Sequence, residues 1–206
     1  MASAPGRLIA LEGIDGCGKS TQARLLADRL GARLTFEPGD TALGASLRPL
    51  VLDPDQATVA PLTEALLMAA DRAQHVIDVV RPALERGTWV VTDRYSASTL
   101  AYQGYGRGLD LGDLTRLMEW ATAGLAPDLY VLVEVDPAVG RARRRGSTDD
   151  RMERQDDGFR QRVAAGYRRL ADRQDTPWLV VDGTGPVEAV AVAVWAGVRQ
   201  RLGEGP

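Results

Sequence analysis

At 206 residues, 45% of them apolar, the chain fits one globular domain with a sizeable core. Its formal charge of −3 gives no bias toward nucleic acid or a membrane surface, no apolar run is long enough to span a bilayer, and Met1 to Gly6 has no charged segment leading into a long apolar one, so a cytoplasmic protein without nucleic-acid or membrane partners is expected. A single cysteine, Cys17, excludes an intrachain disulfide, and a single histidine, His75, argues against a His-based metal cluster or catalytic triad.

Arg7–Glu12 is a short apolar run that reads as a buried strand. Beyond a glycine-rich stretch, Ala23, Leu26, Ala27 and Leu30 recur at helical spacing up to Gly31. Arg33–Glu37 reads as a second strand, closed by the turn Pro38-Gly39-Asp40. From Leu62 to Leu84 apolar residues return every three or four positions, which predicts a long helix with a kink at Pro82. Thr88–Thr92 is a third strand, running into Asp93-Arg94-Tyr95, and Leu111–Gly124 is helical. Leu129–Val135 is a fourth strand, followed by a short helix from Pro137 to Arg145 with a basic end. Phe159, Val163, Tyr167 and Leu170 mark another helix, Trp178–Val181 a fifth strand, and Val187 to Leu202 a closing helix. Five short apolar strands alternating with helices predict an α/β fold, a five-stranded parallel sheet with helices on both faces, as one domain over residues 1–206. Ligands of such sheets bind beyond the carboxyl ends of the strands.

Between the first strand and the first helix, Gly13, Gly18, Lys19 and Ser20 match the phosphate-loop pattern G-x-x-x-x-G-K-[ST]. Its glycines let backbone N–H groups turn toward phosphate oxygens, and the helix that follows adds its N-terminal partial positive charge. Lys19 is expected on the β- and γ-phosphates of a nucleoside triphosphate and the Ser20 hydroxyl on Mg²⁺. The donor-binding set is thus Gly13, Ile14, Asp15, Gly16, Cys17, Gly18, Lys19, Ser20 and Thr21, with Cys17 a small filler. Of the 25 Lys and Arg residues only Lys19 is lysine. Codon usage explains such a skew, and a lysine kept where a compact ammonium is needed is informative against it. The same count rules out the N-K-x-D guanine signature of GTPases. A second substrate site then points to a kinase.

Leu11–Gln22, Glu37-Pro38-Gly39 with Leu43-Gly44, Ala70–His75, and Asp93-Arg94-Tyr95 through Ser98 to Ala101-Tyr102-Gln103-Gly104 together resemble the thymidylate kinase (dTMP kinase) family of P-loop nucleoside monophosphate kinases. Arg145-Gly146 followed by Asp150–Glu153 adds a weaker fifth segment, of the form with arginines in a lid. The resemblance implies transfer of the γ-phosphoryl group of ATP to dTMP, giving dTDP and ADP. It places Arg94 on the dTMP phosphate, Asp15 near the sugar 3′-hydroxyl, and Tyr102 against the deoxyribose, where it disfavours a 2′-hydroxyl. It makes Arg72 a donor to a thymine carbonyl, although a lone helical arginine is more often solvated surface. Ser98, Thr99 and Gln103 line the same site, Thr99 standing where some members have an amide. Asp93 is placed for a Mg²⁺-water contact, or equally for a bond to the loop backbone. An ion pair of Arg94 with Asp93 is the bland alternative for that arginine. Two positions depart from the family: Met68 stands where an aromatic residue stacks on the base, and Phe36 where an arginine precedes Glu-Pro-Gly, with Asp40 after it. Phe36 is either a replacement stacking residue or a lost phosphate contact. The resemblance also implies a homodimer, with the 58–86 region as the candidate face.

Arg141, Arg143, Arg144 and Arg145 crowd a helix end, with Arg151 and Arg154 behind. Cations favour helix C-termini, and such clusters are often solvated. Yet Ile14 to Cys17 contain no basic residue, so further positive charge around the transferred group has to come from elsewhere. Arg145 and Arg151, in a lid of about 145–154, are the expected catalytic arginines, with Arg141 nearer the adenine. Two other readings stay open: a kinase for another or modified deoxynucleoside monophosphate, and a nucleotide-dependent switch without turnover.

Overall fold

A computed structural model describes residues 5–55, 58–144, 150–152, 154–173, 176–203 and 205. Strand β1 (Leu8–Glu12) is flanked by β3 (Val90–Asp93) and β4 (Leu129–Glu134), with β2 (Arg33–Phe36) and β5 (Trp178–Asp182) at the edges; all pairings are parallel, in the order β2-β3-β1-β4-β5. Every residue of β1 is buried, and successive residues of a strand point to opposite faces, so both faces of the sheet are covered. The edge strand β5 instead alternates buried and exposed positions. In register, Leu11 pairs with Asp93, Phe36 with Asp93 and Glu12 with Leu132. The strand ends carrying Glu12, Phe36 and Asp93 therefore share one rim, where the functional segments emerge.

Helix α1 (Lys19–Leu30) packs on β1 and β3 and against the closing helix α9 (Val187–Leu202). The predicted long helix is three joined pieces: α3 (Pro61–His75), a π-helical turn at Val76–Val80, and α4 (Arg81–Glu85). Pro82 has no N–H to continue the helical ladder, and the wide turn ahead of it accommodates the interruption. Two helical segments have no counterpart in the sequence pattern. Helix α2 (Ala42–Leu52) contains Gly44 and Pro49, which disguise it; its start is fixed by Gly44 N–H donating to Thr41 Oγ1 at 2.9 Å. The second is α5 (Ser96–Thr99), continued by a π-helical stretch through Gly106. The remaining helices are α6 (Leu111–Ala121), α7 (Pro137–Arg143) and α8 (Asp157–Ala171). Strand and helix ends agree with the sequence reading or differ by up to three residues, as terminal turns and pairings fray.

Candidate active site

The loop after β1 curls over the sheet rim because two of its glycines take backbone angles and approaches that a side chain forbids. At Gly16 (φ +79°) a Cβ would lie 2.1 Å from Gly140 O, and at Gly13 (φ +143°) 2.6 Å from Val133 O. Lys19 and Ser20 then open α1, with Lys19 buried and Ser20 exposed. Gln22 Nε2 donates to Val187 O at 3.0 Å, tying α1 to the start of α9.

A cavity of about 790 Å³ runs from this loop to a second cluster across the rim. At its donor end it is lined by Asp15 to Gln22, with Gly183, Gly185 and Val187 as a far wall. Gly13 and Ile14 underlie the loop rather than line it.

The acceptor end is organised by Arg94, which sits in the left-handed region at φ 76°, a strained position for a non-glycine residue. Its N–H donates to Leu11 O at 2.9 Å. The guanidinium is surrounded by oxygens. Nη1 donates to Ser98 Oγ (3.0 Å), Tyr167 OH (3.1 Å) and Gly13 O (3.3 Å), while Nη2 donates to Asp15 Oδ1 and to Tyr102 OH (3.2 Å). Tyr102 OH in turn donates to Asp15 Oδ2 at 2.9 Å, and Lys19 Nζ lies 3.3 Å from Asp15 Oδ1. Burial would raise the Asp15 carboxyl, but Arg94, then Lys19 and Tyr102, outweigh it and hold it well below the usual carboxylate range. The ion pair of Arg94 is thus with Asp15 and not with Asp93, whose buried Oδ1 has no hydrogen-bond partner among the described residues.

Arg72 is not a solvated surface residue. It is 2% exposed, with Nε on Glu37 Oε2 (2.7 Å), Nη1 on Thr99 Oγ1 (2.9 Å) and Nη2 on Tyr95 O (2.9 Å). Glu37 also meets His75 Nδ1 at 2.8 Å. Burial raises the Glu37 carboxyl, but Arg72 and His75 together bring it below its ordinary value. Arg72, Thr99, Ser98, Gln103, Met68 and Phe36 all line the cavity. Arg48, from the unforeseen α2, joins them, its guanidinium 5.8 Å from the Phe36 ring centroid. A cation therefore stands beside Phe36 although the arginine before Glu37 is missing.

Two lid expectations meet a different arrangement. Arg141 points outward to Asp157 (3.1 Å), and the cavity is lined instead by Arg143 and Arg144. Gly140 packs on the phosphate loop, and residues three and four positions on share its helix face, whereas Arg141 lies about 100° around. Arg143 donates to Gly183 O (2.8 Å) and Thr184 O (3.1 Å). Arg151 is not brought to the phosphate loop. The buried Glu64 carboxylate takes its charge at 2.7 Å, and Arg151 Nε donates to Val51 O at the end of α2. Arg145 lies outside the described residues. The structure brings to the site five residues not predicted as site residues: Arg48, Arg143, Arg144, Glu37 and Glu12, the last buried behind Arg94. Glu12 directly precedes the phosphate loop, so its position was the available signal.

A sequence model of the thymidylate kinase family matches residues 11–194. The chain is 49% identical to a thymidylate kinase of Prochlorococcus marinus (strain MIT 9303), with 96% of each chain covered, and 48% identical to that of Thermomicrobium roseum, with the same coverage. Among solved structures, the thymidylate kinase of Ehrlichia chaffeensis superposes with a TM-score of 0.77 at 30% identity, covering 94% of this chain and 99% of that one. The family model spans most of the chain and these relatives cover nearly all of it: the chain belongs to the thymidylate kinase family.

Proposed function

As a member of this family the chain is an ATP-dependent dTMP kinase, giving dTDP and ADP, and we propose that its residues divide the work as follows. The loop from Gly13 to Thr21 holds the ATP phosphates, with Lys19 on the transferred group. Arg94 clamps the dTMP phosphate, Tyr102 and Asp15 pack on its sugar, and Arg72, Thr99, Ser98 and Gln103 meet the base, with Met68 and Phe36 flanking the ring. Because the acceptor phosphate is already an anion, no general base is required; positioning and charge stabilisation suffice. Arg143 and Arg144 bring the positive charge that the phosphate loop lacks, with Arg145 and Arg151 as further lid cations and Arg141 at the outer margin.

Asp15 carries this reading. One carboxylate touches both Lys19, the donor-side cation, and Arg94, the acceptor-side cation, so donor and acceptor phosphates meet in a single cavity. Mg²⁺ suits the residues present. The exposed Ser20 hydroxyl and the unpartnered Asp93 Oδ1 would hold it, directly or through water, and it would supply charge neutralisation at the phosphate oxygens.

A homodimer is supported by a stripe of exposed apolar side chains along α3 and beyond. Leu62, Leu66 and Ile77 are 59%, 49% and 63% exposed, with Trp120 of α6 at 84%. No helix among the described residues is long and apolar enough to cross a membrane.

The test is ADP release with Mg-ATP across the nucleoside monophosphates. dTMP should be the preferred acceptor, and Lys19→Ala should lower kcat by about 10²–10³-fold. Preference for dGMP or dCMP would move the assignment to another deoxynucleotide, as the departures at Met68 and Phe36 allow. Absence of ADP formation would favour a switch.

A further inference from the structure

Glu12 is the last residue of β1 and is fully buried, yet nothing in the reaction as derived above uses it. Its two oxygens face different partners. Oε1 accepts from two backbone N–H groups, Tyr95 at 2.9 Å and Ser98 at 3.3 Å. Oε2 accepts from two hydroxyls, Ser98 Oγ at 2.6 Å and Tyr167 OH at 3.1 Å. Those same hydroxyls are the acceptors for Arg94 Nη1.

Each hydroxyl has one proton. With Glu12 ionised, and so acceptor-only, these protons turn toward Oε2 and the lone pairs turn toward Arg94. We propose that Glu12 is a positioning residue for the acceptor phosphate: by taking the hydroxyl protons of Ser98 and Tyr167 it presents their lone pairs to Arg94 and fixes the guanidinium that grips dTMP.

A proton on Oε2 weakens this. Ser98 Oγ and Tyr167 OH also lie 2.8 Å apart, so one hydroxyl then accepts from Glu12 and passes its own proton to the other, and the charge that turned both lone pairs toward Arg94 is gone. Glu12→Gln goes further: an NH₂ only donates, so at least one hydroxyl proton loses its acceptor and competes with Arg94. The two backbone donors require the amide oxygen at Oε1, which leaves the NH₂ facing the hydroxyls. The side chain keeps its shape and volume, so the substitution changes the hydrogen-bond direction and the buried charge without opening a cavity.

The surroundings put loss of this charge within reach of ordinary conditions. Burial dominates and raises the Glu12 carboxyl to about 7, against the opposing pull of the Ser98 hydrogen bond, Arg94, the Tyr95 N–H and Arg72. The groups facing it are Arg94 and Ser98 from the segment after β3, Tyr167 from α8, Arg72 from α3 and Tyr130 from β4. The aligned state is the ionised one, so it is present above pH 7 and lost as pH falls through that value.

The inference rests on dTMP being the acceptor, and wild-type turnover of dTMP checks that separately. Steady-state kinetics of Glu12→Gln should show KM for dTMP raised about tenfold with KM for ATP and kcat little changed, because Arg94 holds the phosphate equally in ground and transition states. In wild type, KM for dTMP should rise as pH falls through 7, in addition to the step from the substrate's own phosphate near pH 6. The variant should keep only the substrate's step. An unchanged dTMP KM, an equal rise for ATP, or an unaltered pH profile would overturn the proposal. If Glu12→Gln gives no folded protein, Tyr167→Phe decides: it removes one relay hydroxyl and should raise KM for dTMP alone, and no change there would equally overturn it.

Discussion

Without its guanidinium partner, the Glu37 carboxylate, itself only 5% exposed, would face His75 and little else. Arg72 therefore does structural work and lines the base end of the cavity at once, and the two contributions separate by double substitution. Arg72→Met should destabilise the fold by about 3 kcal/mol in denaturant unfolding, since it leaves a buried carboxylate uncompensated. Adding Glu37→Gln should recover part of that loss and none of the affinity for dTMP. Recovery of both would remove Arg72 from the acceptor site. The sequence carried the resemblance of Arg72 to a base-reading arginine. It could not carry the burial, which depends on Glu37 arriving from the end of β2, 35 residues away.

Helix α7 shows how one position of register decides which arginine lines the cavity. Gly140 fixes the face that meets the phosphate loop, so Arg143 falls on the cavity side and Arg141 on the solvent side. Arg143→Ala should raise KM for ATP several-fold, roughly the loss of one charge-assisted hydrogen-bonding group, while Arg141→Ala should stay within about twofold. The reverse order, read from ATP-dependence curves, would show that α7 rotates when nucleotide binds. The basic cluster was legible in the sequence, but its phase was not, because no apolar stripe marks a helix this short. Strands β1, β3 and β4 were legible because burial on both faces leaves them nearly continuous apolar runs. The segment from Ser96 to Gly106 was not. Its small residues answer to close packing rather than helix propensity: a Cβ at Gly106 would lie 2.6 Å from the Phe159 ring, and one at Gly104 2.4 Å from Leu111. The chain used glycine there to let α8 and α6 approach, and glycine reads as a turn.

For the molecule as a whole, the exposed stripe of Leu62, Leu66 and Ile77 is the surface that a second copy would cover. Light scattering on wild type should return twice the 22.2 kDa chain mass, and Leu66→Glu should return a single chain. A wild-type mass of one chain at assay concentrations would discard the dimer. One consequence of the buried Lys19 lies outside catalysis. It is the only ε-amino group in the sequence, and it sits inside the donor site against Asp15. Acylating reagents, aldehyde crosslinkers and amine-coupling surfaces therefore find no surface lysine to attack. Modification of the one they could reach and occupancy by nucleotide exclude each other, so the extent of labelling at Lys19 is a direct measure of how much of the protein is empty.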